Sequence, residues 1–226
     1  RQVAEVKGVR NMNDDLLTKY REIQPDMTVL LKVELLFPVV VSRMQKTAMW
    51  NFDYWYPLAE KSRYAELAAA SDIFLTPCGG KIPEYRQLGI NAHHLLEACD
   101  PEIHTPVTMT NEEKKFYGSD VSFVGTVDGV VDRAEWLKTI GEKGFDLKIW
   151  GSFSSPLVSK WHTGTRPPPD GDTGHNRVVS ASKINLDYSR ETQVHGAMSA
   201  RVFRILAAGG FLLMRYIEGL KDIFLP

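Results

Sequence analysis

The chain has 226 residues, 43% hydrophobic and 24% charged, enough to bury one large core or two small ones. Its 27 Lys and Arg nearly balance 28 Asp and Glu, and the net charge of −1 argues against a protein that grips nucleic acid by bulk phosphate neutralisation. Cys78 and Cys99 lack CxxC spacing, no apolar run reaches the length of a membrane span, and the charged first residues do not form a signal peptide, so the expectation is a cytoplasmic protein.

Helical and apolar segments alternate along the chain, the pattern of α/β layers around parallel sheets. Asn13–Ile23 carries Leu16, Leu17, Tyr20 and Ile23 on one face, with Asn13 at a capping position, and Pro25 ends it. A strand over Met27–Val33, a short helix over Phe37–Gln45 and a strand over Lys46–Phe52 follow. Then come a helix over Pro57–Ala70, a strand over Asp72–Thr76, a short helix over Glu84–Leu88 and a strand over Ala92–Leu96. His104–Gly118 is polar and reads as a linker, its run Glu112-Glu-Lys-Lys115 as a solvated helix face. A second unit begins with strand Asp120–Gly125, helix Arg133–Glu142 and strand Asp146–Trp150. The long loop Ser152–Asn176 leads to strand Lys183–Asp187, helix Ser199–Ala208 and strand Phe211–Met214. The expected domains are therefore 1–115 and 116–226.

In open parallel sheets, ligands gather outside the carboxyl ends of the strands. In the second unit those ends are Gly125-Thr126, Gly151-Ser152 and Asp187-Tyr188, followed by the helix start at Ser199. A helix start presents unpaired N–H groups and the positive end of the dipole, a natural seat for phosphate. Arg201 in that first turn opposes the dipole unless it meets a diphosphate or a nearby carboxylate. In the first unit the strand ends carry Glu34 and Asp53, the latter among Tyr54 and Trp55, a setting that suits a general base. The histidines show no HxH or HExxH spacing, so no metal site is expected, and neither GxSxG nor a P-loop occurs.

Several segments taken in order resemble the CgeB-like glycosyltransferases, a family first met as spore-maturation proteins. They are Trp50-Asn-Phe-Asp53, Tyr85-Arg-Gln-Leu-Gly89, Ala98-Cys-Asp-Pro-Glu-Ile-His104, Asp120-Val-Ser-Phe-Val-Gly-Thr126 with Arg133, Ser182-Lys-Ile-Asn-Leu186 and Arg201-Val-Phe-Arg-Ile-Leu-Ala-Ala-Gly-Gly-Phe-Leu-Leu213. The resemblance implies a GT-B architecture of the group 1-like kind: two Rossmann-like domains with parallel sheets facing a central cleft, the donor in the C-terminal one and the acceptor facing the N-terminal one. It also implies an incomplete N-terminal domain and missing closing helices in the second. Many relatives carry a ribose-binding Glu in the last helix and another eight residues earlier; here those positions are Arg204 and Gly196, and Glu218 is the nearest substitute.

The expected function is transfer of a sugar from a nucleotide diphosphate sugar to an acceptor that is a glycan, a protein, a small molecule or a modified nucleic acid. Ser199 and Arg201 would hold the diphosphate, Gly125, Thr126, Gly151 and Ser152 would let backbone approach it, and the loop around Arg166 and His175 would close over the base. Tyr188 and Glu218 complete the expected donor set, and Asp53, then Glu34, are the expected bases. No cofactor or divalent metal is expected, because preorganised positive charge would stabilise the departing nucleotide. Two other functions fit the same residues: a binding or structural protein of this fold without turnover, and a nucleotide-sugar epimerase.

Overall fold

Among the described residues, four short strands pair side by side in the first part of the chain, and five in the second. The computed structural model describes residues 8–52, 63–127, 132–168, 171–188 and 195–224. These form two compact units: residues 8–96 with 195–197 and 217–224, and residues 97–188 with 198–216. The division passes between Leu96 and Glu97, so the polar stretch from His104 to Gly118 belongs to the second unit.

The first unit is a parallel sheet in the order β1 (Thr28–Leu31), β2 (Thr47–Trp50), β3 (Ile73–Thr76), β4 (Ala92–His94). The strands alternate with helices α1 (Val9–Ile23), α2 (Pro38–Val41), α3 (Arg63–Ala69) and α4 (Ile82–Gln87). Leu30, Met49, Phe74, Ala92, Leu67 and Val41 meet in its core. Asn13 does not cap α1. The helix starts at Val9, and Asn13 is buried within it. There its amide donates to the Leu35 carbonyl at 3.0 Å and accepts from the Phe37 N–H at 2.8 Å, tying the turn before α2 to α1. The returning segment docks through Gly80 N–H to the His195 carbonyl at 3.0 Å and Gly196 N–H to the Glu218 carbonyl at 2.8 Å.

The second unit is a five-stranded parallel sheet in the order β7 (His162–Gly164), β6 (Leu147–Trp150), β5 (Val121–Val124), β8 (Ile184–Asp187), β9 (Leu212–Met214). Its helices are α5 (Asn111–Tyr117), α6 (Arg133–Glu142), α7 (Asp172–Ala181) and α8 (Ala200–Ala207). Phe123, Ile149 and Leu186 on the three central strands are almost wholly buried together with Leu137 and Val158, each worth about 1.5–3 kcal/mol in surface removed from water. Between β5 and β8 the Ser122 hydroxyl donates to the Asn185 carboxamide at 2.8 Å, satisfying two buried polar groups at once.

Two expectations change here. The stretch read as a linker contains α5, closed by a Thr110–Glu113 capping box and anchored by buried Tyr117, although its charged run does face solvent. The stretch read as one long loop contains a 3-10 turn (Pro156–Trp161), edge strand β7 and the start of α7. In fold class the chain is α/β with two parallel sheets alternating with helices, consistent with Rossmann-like GT-B units.

Candidate anion-binding site

From β5 the second sheet runs outward to β6 and β7, and then resumes on the other side of β5 with β8 and β9. Loops leaving the carboxyl ends of β5 and β8 therefore diverge, and a crevice opens at that point. Asp187 ends β8, Gly125 follows β5, and α8 begins at the same end of the sheet. Arg201, in the first turn of α8, donates from Nη1 to Oδ1 of Asp187 at 2.6 Å, and the Ser199 hydroxyl donates to the same oxygen at 3.1 Å. Asp187 has no exposed surface and the Arg201 side chain is 20% exposed, so both donors meet a charge removed from water. The partner of Arg201 in this structure is thus a carboxylate, one of the two partners its position implied.

The strand-end glycines make this packing possible. A Cβ on Gly125 would run into the Arg201 guanidinium, and a Cβ on Gly151 would run into the Gly125 carbonyl oxygen. Both were read as places of close approach by a ligand; among the described residues they admit the arginine and neighbouring backbone. The guanidinium also lies over the Phe123 ring, 5.1 Å from its centroid.

A cavity of about 460 Å³ opens beside this pair, lined by Arg166, Asp172, His175, Ser199, Arg201 and Arg204, with Glu97 and Val124 on its wall. Arg204 follows Arg201 by three residues and so shares its face of α8. Its Nη1 is 3.2 Å from Oδ1 of Asp172, and that oxygen is also 3.2 Å from Nε2 of His104. At the helix start the Ala200 N–H donates to Oε2 of Glu97 at 3.0 Å, a carboxylate where the helix dipole favours negative charge. His175 lies one turn beyond Asp172 on α7. Burial first, and then the charges of Arg201 and Arg204, push its pKa down to about 4, with His104 adding to the effect and Asp172 opposing it. Its imidazole is therefore neutral near pH 7, and its Nδ1 is buried without a hydrogen-bond partner.

Arg166, His175, Ser199 and Arg201 are thus brought together around one cavity. Gly125, Thr126, Gly151 and Ser152 form the strand-end loops beside it; the Thr126 and Ser152 hydroxyls are 3.4 Å apart, and the Thr126 carbonyl accepts from buried Arg133. Tyr188 does not line the cavity. It is buried against Trp136, its carbonyl bonded to Arg133 and its hydroxyl to Arg215. Glu218 belongs to the first unit, as does half-buried Glu34 in the turn after β1. Asp53, with Tyr54 and Trp55, lies outside the described residues. Glu97, Asp172 and Arg204 also line the cavity, although none of them was among the expected donor contacts. The three-residue spacing of Arg204 from Arg201 was a usable signal; Glu97 reaches Ala200 across 103 positions and left none.

Among the described residues no three His, Cys, Asp or Glu side chains are grouped to hold a metal ion, and no helix is long and apolar enough to cross a membrane. Residues 133–226 match the family model described as glycosyl transferase-like. Over that stretch the chain is similar to glycosyltransferases, and the match supports a transferase of that general kind, with a sugar donor as its substrate. The matched stretch includes every cavity residue named above except Glu97 and Val124. No curated protein matches the chain.

Proposed function

We propose that the chain is a glycosyltransferase of the CgeB-like group that takes its sugar from a nucleotide diphosphate sugar and holds the donor diphosphate in the cavity at the carboxyl ends of β5 and β8. The observation that carries this is the meeting of Arg166, Arg201 and Arg204 with the start of α8 at the sheet's crossover point, within the stretch similar to glycosyltransferases. As the bond from sugar to diphosphate breaks, negative charge grows on the departing nucleotide, and fixed guanidinium groups stabilise it. The arginines supply the charge that a divalent metal would otherwise bring, so we propose a reaction that survives a chelator. Asp53 remains our first choice of base and Glu34 the second, and the two free cysteines fit a cytoplasmic setting.

Calorimetric titration with UDP, GDP and ADP, followed by transfer and hydrolysis assays with their sugar esters, tests the reading. Binding that weakens in Arg204→Ala, and turnover of at least one ester, are the expected results; no binding by any diphosphate would sink it. A second reading, a donor-binding protein without turnover, is favoured by Arg204 standing where many relatives carry Glu. Binding with no transfer or hydrolysis would select it.

A further inference from the structure

We propose that Asp172 and His104 are positioning residues for the diphosphate: the buried imidazole seats the carboxylate, and the carboxylate aims Arg204 into the cavity. The proposal rests on the donor reading above and deepens it by naming what holds one of that site's cations in place.

The chain of contacts starts in the turn from Asp100 to His104. There the His104 N–H donates to the Asp100 carbonyl at 2.8 Å, and the Asp100 carboxylate accepts the Glu102 N–H at 2.9 Å. The buried Asn176 carboxamide on α7 donates to the Ile103 carbonyl at 2.7 Å and ties the turn to that helix. Only 5% of the His104 side chain is thereby left exposed. Its Nδ1 lies 3.0 Å from the Asp100 N–H, whereas the Asp100 carbonyl already accepts the Ile103 and His104 N–H groups. That network assigns Nδ1 as the acceptor and places the ring proton on Nε2. Nε2 faces Oδ1 of Asp172 at 3.2 Å, a contact of ring N–H with charge and not a formed hydrogen bond.

Asp172 is the first residue of α7, where the helix dipole favours a carboxylate. The same Oδ1 accepts from Nη1 of Arg204 at 3.2 Å. With 41% of its side chain exposed, Arg204 would otherwise spread over several rotamers and give them up on gripping a ligand. A carboxylate backed by a packed imidazole removes part of that cost in advance. Asp172 also carries a charge that opposes an incoming anion, and the two effects separate chemically. Asparagine at this position keeps an oxygen acceptor for Nη1 without the charge, and alanine keeps neither.

The test is calorimetric titration of the whole chain with UDP, GDP and ADP. Asp172→Asn and Asp172→Ala both lack the charge, so the ratio of their affinities reads the tether alone. Expected is binding about threefold to tenfold weaker in Asp172→Ala than in Asp172→Asn. Once Arg204→Ala is added to both, they bind equally, because the tether then has nothing to hold. His104→Leu weakens binding in the same Arg204-dependent way, and His104→Gln, whose amide N–H can stand where Nε2–H stood, restores it. Asp172→Ala binding as tightly as Asp172→Asn, or a difference that persists without Arg204, would overturn the proposal and leave the donor reading standing. A His104→Leu loss that persists without Arg204 would do the same. No binding of any of the three diphosphates by the unaltered chain overturns the donor reading, and this proposal with it. Should the variants of buried His104 fail to fold, the Asp172 pair, on a partly exposed side chain, decides by itself.

Discussion

Arg201 and Asp187 form an ion pair of 2.6 Å in which the carboxylate has no exposed surface and the arginine rises from the first turn of α8, the end of a helix where a cation is least favoured. The pair reconciles two costs that neither residue could bear alone. Arg201→Ala takes the guanidinium away from a fully buried carboxylate, and the expected loss is about 2–4 kcal/mol in urea unfolding. Adding Asp187→Asn should recover part of that loss, because the stranded charge is then gone. Strictly additive effects in the double variant would show that the two side chains do not depend on each other.

Gly151→Ala should cost about 2 kcal/mol or more. An added methyl group collides with the Gly125 carbonyl oxygen, and backbone cannot step aside as a flexible side chain can. Gly125 bears directly on the Arg201 guanidinium, so the same variant should also weaken diphosphate binding. A variant with unchanged melting temperature and affinity would mean that the two strand-end loops have slack.

The parallel strands were legible because short apolar runs such as Val121–Val124 and Ile184–Leu186 alternate with helical stretches of crossover length. Helix α8 was legible within a residue at each end, since Val202 and Ile205 fall on one buried face and Gly209 follows. Strand β7 was not. His162-Thr-Gly164 is a polar edge segment whose strand identity comes only from pairing with Ile149 and Trp150. Asn13 looked like a cap because a short polar side chain before an apolar stripe usually is one; its actual partners at Leu35 and Phe37 are a tertiary matter. The cavity follows the same rule. Arg201 was legible from its place in the first turn of a helix and Arg166 from its place in a long loop; the carboxylates, placed by packing of distant segments, were not.

Arg204 separates binding from stability better than Arg201. Its pair with Asp172 is partly exposed on both sides, 41% and 38%, so Arg204→Ala should cost less than about 1 kcal/mol. If the cavity holds a diphosphate, the same change should weaken UDP or GDP binding by about tenfold, the worth of one charge-assisted hydrogen bond. Equal affinity in Arg204→Ala, with the fold intact, would move the phosphates away from this face of α8.

Glu97 should act in the opposite direction. Its carboxylate accepts the first N–H of α8 and stands on the wall of a cavity proposed to take an anion, so an entering diphosphate meets a like charge. Glu97→Gln keeps an acceptor for the Ala200 N–H and removes the charge; titration should show UDP binding several-fold tighter. Weaker binding in this variant would mean that Glu97 touches the ligand itself, as an acceptor for sugar or ribose hydroxyls.

His175 also writes a signature on stability in the absence of any ligand. Its folded pKa of about 4 lies below the ordinary value of 6.5, so between those two pH values the unfolded chain binds a proton that the folded chain refuses. The stability this group allows is complete above about pH 6.5, declines as pH falls, and is lost by about pH 4, a total of about 2–3 kcal/mol. Burial is the first cause of that refusal and Arg201 and Arg204 add to it, so Arg204→Ala should shrink the decline a little, whereas His175→Asn should remove it. Urea unfolding at several pH values between about 4 and 7 measures both. An identical slope in His175→Asn and the unaltered chain would assign the loss to other groups and leave the imidazole outside the field of the two arginines.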